Sequence, residues 1–194
     1  MRAASVSRET KETQISVSVD LDGTGSSNVE TGIGFFDHML EGFSKHGFFD
    51  LDVQTEGDLQ VDVHHCVEDT GIVLGQAIKE ALGDKKGIRR FGDCIIPMDD
   101  ALALCAIDLC GRPYFVFDAE FSDMRIGEMD TQTIREFFYA ISYSCGMNLH
   151  IKLFGGVNDH HKAEAIFKAF GKALDMATSI DPRVTDVLST KGTL

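Results

Sequence analysis

The chain has 194 residues, of which 43% are apolar and 25% charged, a composition typical of a soluble globular protein with ample material for a core. Its formal net charge of −13 argues against nucleic acid or an anionic membrane surface as a partner. No apolar run reaches the length of a membrane span, and residues 1–12 lack the apolar segment of a signal peptide. We therefore expect a cytoplasmic protein whose five cysteines are reduced.

The first half of the chain predicts alternating strands and helices. Residues 1–10 are expected to be a flexible or loosely held end. The predicted elements that follow are a strand from Thr13 to Leu21, a strand near Val29, a helix from about Gly34, a strand over 49–53 and a helix from His64. We expect Gly47 to end the first helix in a left-handed conformation, and Asp62 to cap the second.

The second half repeats this order after a break at 83–87. Its predicted elements are strands over 101–109 and 114–121, a helix over 131–145, a strand over 148–153 and a helix from His160 capped by Asp159. The polar tail after Pro182 is expected to be disordered. The fold class expected is α+β, with two tandem pseudo-symmetric strand-strand-helix-strand-helix halves that form a sheet/helix sandwich. One domain would cover 1–194, with an internal repeat of about 8–93 and about 94–187.

The last helix of each half begins with the same His-His-x-x-Glu cluster. The two copies, His64-His65-Cys66-Val67-Glu68 and His160-His161-Lys162-Ala163-Glu164, lie 96 residues apart. On a helix the first His and the Glu lie one above the other, whereas adjacent His rings point about 100° apart. Each His could therefore serve a different ion, and two copies could begin two sites. Imidazole with carboxylate suits Mn, Fe, Zn or Ni, and argues against a Ca²⁺ cage or an iron–sulfur cluster.

Other interpretations of these residues stay open. A His pair at a helix start is commonly a polar first turn, and ancient duplication alone could preserve the pattern. An anionic substrate would need a local basic pocket, for which the candidates are Arg89-Arg90, Arg112 and Lys191. From the residues alone a dinuclear metallohydrolase ranks first. A metal-storage or structural protein is the other alternative, although the lack of a CxxC motif argues mildly against a closed zinc site.

Several longer motifs make the chain resemble the imidazoleglycerol-phosphate dehydratase family. They are Gly34–Leu40, Asp62–Asp69, Gly111–Pro113 and Asn158–Phe170. The resemblance runs from about Arg8 to the C-terminal Ser-Thr-Lys-Gly, and the length matches the single-function form without a phosphatase domain. It implies a hydro-lyase of L-histidine biosynthesis that converts D-erythro-imidazole glycerol phosphate to imidazole acetol phosphate.

The resemblance also implies two Mn²⁺ ions per active site, in a homo-oligomer of 24 subunits with sites shared between neighbours. Zn²⁺ or Fe²⁺ would fit the same donors. The implied ligands are His38, His64, His65, Glu68, Glu136, His160, His161 and Glu164. Glu136 stands where the family often has His. His150, on the strand over 148–153, is expected to be structural or to support a ligand from behind.

The substrate contacts implied by the resemblance are Glu12, Arg90, Asp99, Arg112, Lys168, Ser189 and Lys191. The two arginines, Ser189 and Lys191 would hold the phosphate, and the tail would order when substrate binds. The candidates for proton transfer are Glu12, Glu68 and Glu164, and the sequence does not choose between them.

Overall fold

The computed structural model describes residues 2–194, and its elements follow the expected order with one additional strand at the start of each half and an additional short hairpin in the second half. The first half contains β1 (Ala3–Glu9), β2 (Thr13–Asp20), β3 (Ser27–Glu30), α1 (Gly34–Gly47), β4 (Asp50–Gly57) and α2 (His64–Leu82). The second half contains β5 (Phe91–Met98), β6 (Ala101–Asp108), β7 (Tyr114–Asp118), the short hairpin strands β8 (Arg125–Ile126) and β9 (Met129–Asp130), α3 (Gln132–Cys145), β10 (Asn148–Gly155) and α4 (Asp159–Thr178).

Two four-stranded sheets of the same topology enclose the four helices. Their strand orders are β1-β2-β4-β3 and β5-β6-β10-β7. In each sheet the last strand is parallel to its neighbour and the other pairs are antiparallel. Helix α2 packs on β1 and β2, α4 packs on β5 and β6, and the halves meet where α1 lies on α4 and α2 lies on α3. The expected sandwich of two similar halves is confirmed, with the helices on the inner face of each sheet.

The internal symmetry extends to individual hydrogen bonds. Helices α1 and α3 have equal length and start 98 residues apart. The Ser44 hydroxyl donates to the Phe49 carbonyl, and the Ser142 hydroxyl donates to the Met147 carbonyl, both at 2.8 Å. The left-handed residue after α1 is Phe48, with φ of 59°, and not Gly47 as expected. The chain reverses one residue later than expected, which places Phe49 in the core.

Edge strands account for the main differences from the expected elements. Residues 3–9 are not a loose end, because β1 pairs with β2 along its whole length and Arg8 bonds to Asp69 on α2. Strand β5, absent from the expected elements, pairs with β6 and carries Pro97, a residue that edge strands tolerate. An edge strand needs only weak apolar alternation, which explains why the sequence pattern missed both. The strand expected over 114–121 ends at Asp118.

The last helices of the two halves are capped differently from expectation. The side chain of Asn158, not of Asp159, accepts from the His161 backbone N–H at 3.2 Å. Asp159 is instead buried, where it pairs with the Lys162 ammonium at 2.7 Å. Asp62 does accept from the His64 backbone N–H at 2.8 Å, although Val63 holds the capping position. These helices begin with polar contacts that fix the His pairs.

The tail after Pro182 forms turns without a helix or strand. It runs back along the start of β5, where the Arg90 guanidinium donates to the Leu188 carbonyl at 2.7 Å. None of the helices in residues 2–194 is both long enough and apolar enough to cross a membrane.

The helix crossings between the halves depend on glycines that contact the backbone of the facing helix, among them Gly71 and Gly75 on α2 and Gly171 on α4. A Cβ added to Gly75 of α2 would lie 2.9 Å from the Ile141 carbonyl oxygen on α3. A Cβ added to Gly171 of α4 would lie 2.7 Å from the Phe43 carbonyl oxygen on α1. Both contacts are with backbone, which cannot turn aside as a flexible side chain could. At these crossings the helices therefore lie closer together than a residue with a Cβ at the glycine position would allow.

We predict that Gly75→Ala lowers the free energy of unfolding by about 1–3 kcal/mol, because the added methyl group forces α2 and α3 apart. The matched control is Gly42→Ala on α1, where a Cβ meets nothing within 4 Å. That variant should gain about 0.5–1 kcal/mol from helix propensity. Urea unfolding of both variants checks this, and equal stabilities would contradict the proposed close crossing.

Candidate metal and substrate site

The starts of α2 and α4 carry two equivalent His–Glu pairs. The His64 Nε2 lies 3.2 Å from a Glu68 carboxylate oxygen, and the His160 Nε2 lies 3.4 Å from a Glu164 carboxylate oxygen. Both pairs have the spacing of one helical turn that the sequence predicts. Each helix thus presents one imidazole and one carboxylate together on its surface.

A third donor joins the pair on α4. The ligand atoms of His38, His160 and Glu164 all lie within 4.8 Å of one another. His38 comes from α1, which crosses α4 near this point, and its ring centroid lies 5.7 Å from that of His160. The Phe35 ring packs edge-on against His160 at 5.1 Å. Two imidazoles and one carboxylate therefore converge, and this donor set fits a divalent transition metal such as Mn²⁺.

The carboxylate of this cluster is held in its ionised form. Burial raises the pKa of Glu164, but the Lys168 ammonium at 2.7 Å and the nearby His38 and His160 lower it, and the net pKa lies below its usual value. An ionised carboxylate is the form that binds a cation. Lys168, implied as a substrate contact, forms an ion pair with Glu164 in this structure. Its ammonium also contacts the Met98 sulfur at 3.4 Å.

The pair on α2 has a corresponding neighbour on α3. Glu136 occupies the α3 position that matches His38 at the 98-residue offset, and α3 packs on α2 as α1 packs on α4. The Glu136 carboxylate bonds to the adjacent Arg135 guanidinium at 2.9 Å. Helix α3, which carries Glu136, therefore packs on α2, while the Glu136 carboxylate pairs with Arg135.

His65 lies between two carboxylates. Its Nδ1 is 3.0 Å from Asp58, which follows β4, and its Nε2 is 3.9 Å from Glu12, which lies in the β1–β2 hairpin. The hydrogen bond to Asp58 is the main cause that raises the pKa of His65. Glu12 was implied as a site residue, whereas Asp58 was not.

His161 is held in the same manner. Its Nδ1 lies 2.6 Å from Asp100, and its Nε2 lies 3.4 Å from Asp99, both in the β5–β6 hairpin. The contact with Asp100 raises the pKa of His161 and lowers that of Asp100. Sequence analysis missed Asp100, because only the fold brings a residue 61 positions earlier to this ring.

The residues implied for phosphate lie together at the other end of the second sheet. Arg90 forms two hydrogen bonds with Asp108, at 2.7 and 3.0 Å, and binds the tail one residue before Ser189. The Cβ position of Gly111 lies 3.1 Å from Leu194, so Lys191 and exposed Arg112 belong to the same region. The tail and both arginines therefore form one cationic end of the chain.

This cationic end is far from the histidines. The Arg90 backbone N–H donates to the Ala177 carbonyl near the end of α4, at 2.9 Å. His161 lies at the start of the same helix, so about 24 Å separates the two at 1.5 Å per residue. Within one chain, the implied phosphate contacts thus form one group, and Asp99 and Lys168, beside the His-His-x-x-Glu residues of α4, form another. His150 joins neither, because it is exposed on the outer face of the second sheet, where its ring stacks on Tyr114.

Comparisons with known proteins agree on one family. The family model described as imidazoleglycerol-phosphate dehydratase matches residues 31–174. Curated relatives with this name include one from Lachnoclostridium phytofermentans, 62% identical over 100% of this chain and 98% of the relative. Another, from Acetivibrio thermocellus, is 58% identical over 100% of this chain and 99% of the relative.

Solved structures of the same description have this fold. Imidazoleglycerol-phosphate dehydratase from Staphylococcus aureus matches with a TM-score of 0.84 and 39% identity, over 92% of this chain and 99% of that one. The enzyme from Pyrococcus furiosus, solved in complex with (S)-C348, matches with a TM-score of 0.84 and 36% identity, over 97% of this chain and 100% of that one.

Cys66 lies inside the first His-His-x-x-Glu cluster but faces the core. It is fully buried, and burial raises the pKa of its thiol to about 11. Burial also raises the pKa of Cys145, to about 12. The reactive thiolate of either residue forms only as the pH approaches these values, so neither thiol is a ready nucleophile at neutral pH.

We predict that Cys66 and Cys145 of the folded protein do not react with a thiol reagent at mildly alkaline pH. In the unfolded protein all five cysteines, which are free, should react. Mass spectrometry of labelled peptides measures this for each residue. Rapid labelling of Cys66 in the folded state would contradict its burial at the start of α2.

Proposed function

This chain belongs to the imidazoleglycerol-phosphate dehydratase family, and on that premise we propose that it converts D-erythro-imidazole glycerol phosphate to imidazole acetol phosphate in L-histidine biosynthesis, as a metal-dependent hydro-lyase. The observation that carries the metal dependence is the convergence of His38, His160 and Glu164 within 4.8 Å. The metallohydrolase that the residues alone favoured has no support in the family. A metal-storage role would not explain why the implied phosphate contacts lie together at one end of the chain.

We propose that two Mn²⁺ ions bind, with Zn²⁺ or Fe²⁺ as alternatives of similar donor preference. The ligands would be His38, His160 and Glu164 for one cluster, His64, Glu68 and Glu136 for the other, with His65 and His161 completing the coordination. When bound, the ions supply Lewis acidity and a template for the imidazole ring of the substrate. The internal symmetry supports this arrangement, because the two nitrogens of an imidazole ring are suited to two related metal centres.

The chain's own carboxylates would move the protons. Dehydration requires a proton at the departing hydroxyl and a base for the proton on the next carbon. Glu164 is tied to Lys168 and its pKa is lowered, which makes it a weak base. Glu12 is more than half exposed and lies 3.9 Å from the His65 Nε2. We therefore favour Glu12 as the base, with Glu68 as the alternative.

We also propose that each active site is shared between neighbouring chains of a homo-oligomer. About 24 Å along α4 separates Arg90 from His161, and one small substrate cannot touch both ends of a single chain. A phosphate held by the arginines of one chain would instead place its imidazole ring at the histidines of another. The assembly of 24 subunits implied by the sequence resemblance would provide such contacts.

The outer faces of the two sheets support association through the second half. The outer face of the first sheet is polar, with Gln14, Ser16, Ser18, Asp52 and Glu56. The outer face of the second sheet exposes large apolar side chains, namely Phe91, Ile95, Leu102, Tyr114 and Phe154. The two sheets have the same topology, but they differ in the polarity of their outer faces. Several large apolar side chains exposed on one face, here beside Asp93 and the Lys152–Asp118 ion pair, are typical of a surface that another protein covers.

We predict that metal-stripped protein is inactive on imidazole glycerol phosphate and that Mn²⁺ restores turnover at about two ions per chain. Glu136→Gln should weaken the binding of one ion, because an amide replaces the negatively charged donor, and should lower turnover at limiting Mn²⁺. The matched control is Glu41→Gln, an exposed glutamate on α1. Protein that binds two ions but shows no turnover with any divalent metal would contradict the proposed reaction.

A mixing experiment tests the shared site. Arg112→Ala and His161→Ala should each be inactive alone, whereas assemblies formed from both should recover activity, since some sites then draw both intact groups from different chains. The control mixes Arg90→Ala with Arg112→Ala, which damage the same end and should not complement each other. Failure of the first mixture to recover, with mixed assembly verified by mass spectrometry, would place each site within one chain.

A further inference from the structure

We propose that Asp58 and Asp100 are positioning residues that fix the rings of His65 and His161 so that each Nε2 is presented to the metal site. The inference rests on the metal-dependent function proposed above and goes beyond it, since neither aspartate belongs to the ligand or substrate set. Both act through the histidine ring that they touch.

The Asp58 carboxylate is itself held in place. Its two oxygens lie 3.0 and 3.2 Å from the His65 Nδ1. Its backbone N–H donates to the Glu12 carbonyl at 3.1 Å, which ties the turn after β4 to the β1–β2 hairpin. The aspartate is mostly buried, with 17% of its side chain exposed. The carboxylate therefore meets the ring from a fixed backbone.

Asp100 is anchored in another way. One oxygen lies 2.6 Å from the His161 Nδ1. The other accepts from the backbone N–H groups of Val157 and Asn158, the segment that leads into α4. The β5–β6 hairpin is thus bonded both to the ring and to the start of the helix that carries it. The ring cannot rotate without breaking a bond to a fixed acceptor.

The two aspartates come from different parts of the repeat. His65 and His161 are equivalent by the 96-residue offset, but the same offset takes Asp58 to Phe154. Asp58 follows β4, whereas Asp100 precedes β6. Duplication of one ancestral contact does not explain this. Two unrelated loops supply the same carboxylate–Nδ1 contact, which points to a requirement shared by the two rings.

The chemistry of imidazole explains the requirement. A neutral ring that donates its Nδ1 proton to a carboxylate leaves Nε2 unprotonated and free to bind a metal. The free Nε2 atoms face Glu12 at 3.9 Å and Asp99 at 3.4 Å, on the side of the site residues. A carboxylate behind a ligating histidine typically increases metal affinity about 10- to 100-fold.

The test measures Mn²⁺ binding to metal-stripped, full-length protein by isothermal titration calorimetry. Asp58→Ala should weaken the binding of one class of ion about 10- to 100-fold. The matched control, Glu56→Ala, removes an exposed carboxylate two residues away and should bind as the wild type does. Absorption spectra of the Co²⁺-loaded proteins give a second measure, because a rotated ring changes the ligand field in Asp58→Ala but not in the control.

The same test for His161 uses Asp100→Ala. Its control is Asp93→Ala, which removes an exposed carboxylate from β5. Because Asp100 also bonds the backbone before α4, its replacement can unfold that segment. Circular dichroism of the metal-free variants detects this. In that case Asp100→Asn, which retains an oxygen acceptor for the backbone, replaces the alanine variant.

His65→Ala separates failure of this inference from failure of the proposed function. If the wild type binds no Mn²⁺, or if His65→Ala binds as tightly as the wild type, then the metal-dependent function fails and the inference fails with it. If His65→Ala loses affinity while Asp58→Ala keeps both the wild-type affinity and the Co²⁺ spectrum, then the positioning role is wrong and the metal site stands.

Discussion

The crossing of the first helix of each half over the last helix of the other half is the contact on which the site depends. Gly171 lets α1 approach α4, and this approach places His38 beside the His160–Glu164 pair. Gly75 serves the equivalent crossing of α2 and α3, the helix that carries Glu136. Within residues 2–194, the cluster of three donors takes His38 from the first half and His160 and Glu164 from the second. The candidate metal site therefore forms only when the two halves pack against each other.

The sequence predicted what short-range periodicity encodes. The helices, the inner strands and the His–Glu pairs follow from spacings of two to four residues, and these agree with the structure. The edge strands β1 and β5 were missed, because pairing on one side needs little apolar alternation. Asp58 and Asp100 were missed for another reason: their partners are set by loop packing across 7 and 61 residues. His38 was identified only through family resemblance, since no local pattern marks it.

Groups of opposite charge lie at the two ends of α4. His160, His161 and the acidic β5–β6 hairpin lie at the start of α4, and the two arginines lie with the tail near its end. In a protein of net charge −13, this concentrates the few cations that can attract a phosphate at one place. The apolar outer face of the second sheet connects the two ends. Association of chains through this face would bring a phosphate-binding end and a histidine end together without any change in the fold of the single chain.

We propose that the internal symmetry of the fold creates two metal centres. Crystals grown with Mn²⁺ and measured above and below the manganese absorption edge test it most directly. We expect two anomalous peaks per chain, one beside His38, His160 and Glu164 and the other beside His64, Glu68 and Glu136, related by the pseudo-twofold axis that relates α1 to α3. A single peak per chain, or peaks away from both clusters, would contradict the account.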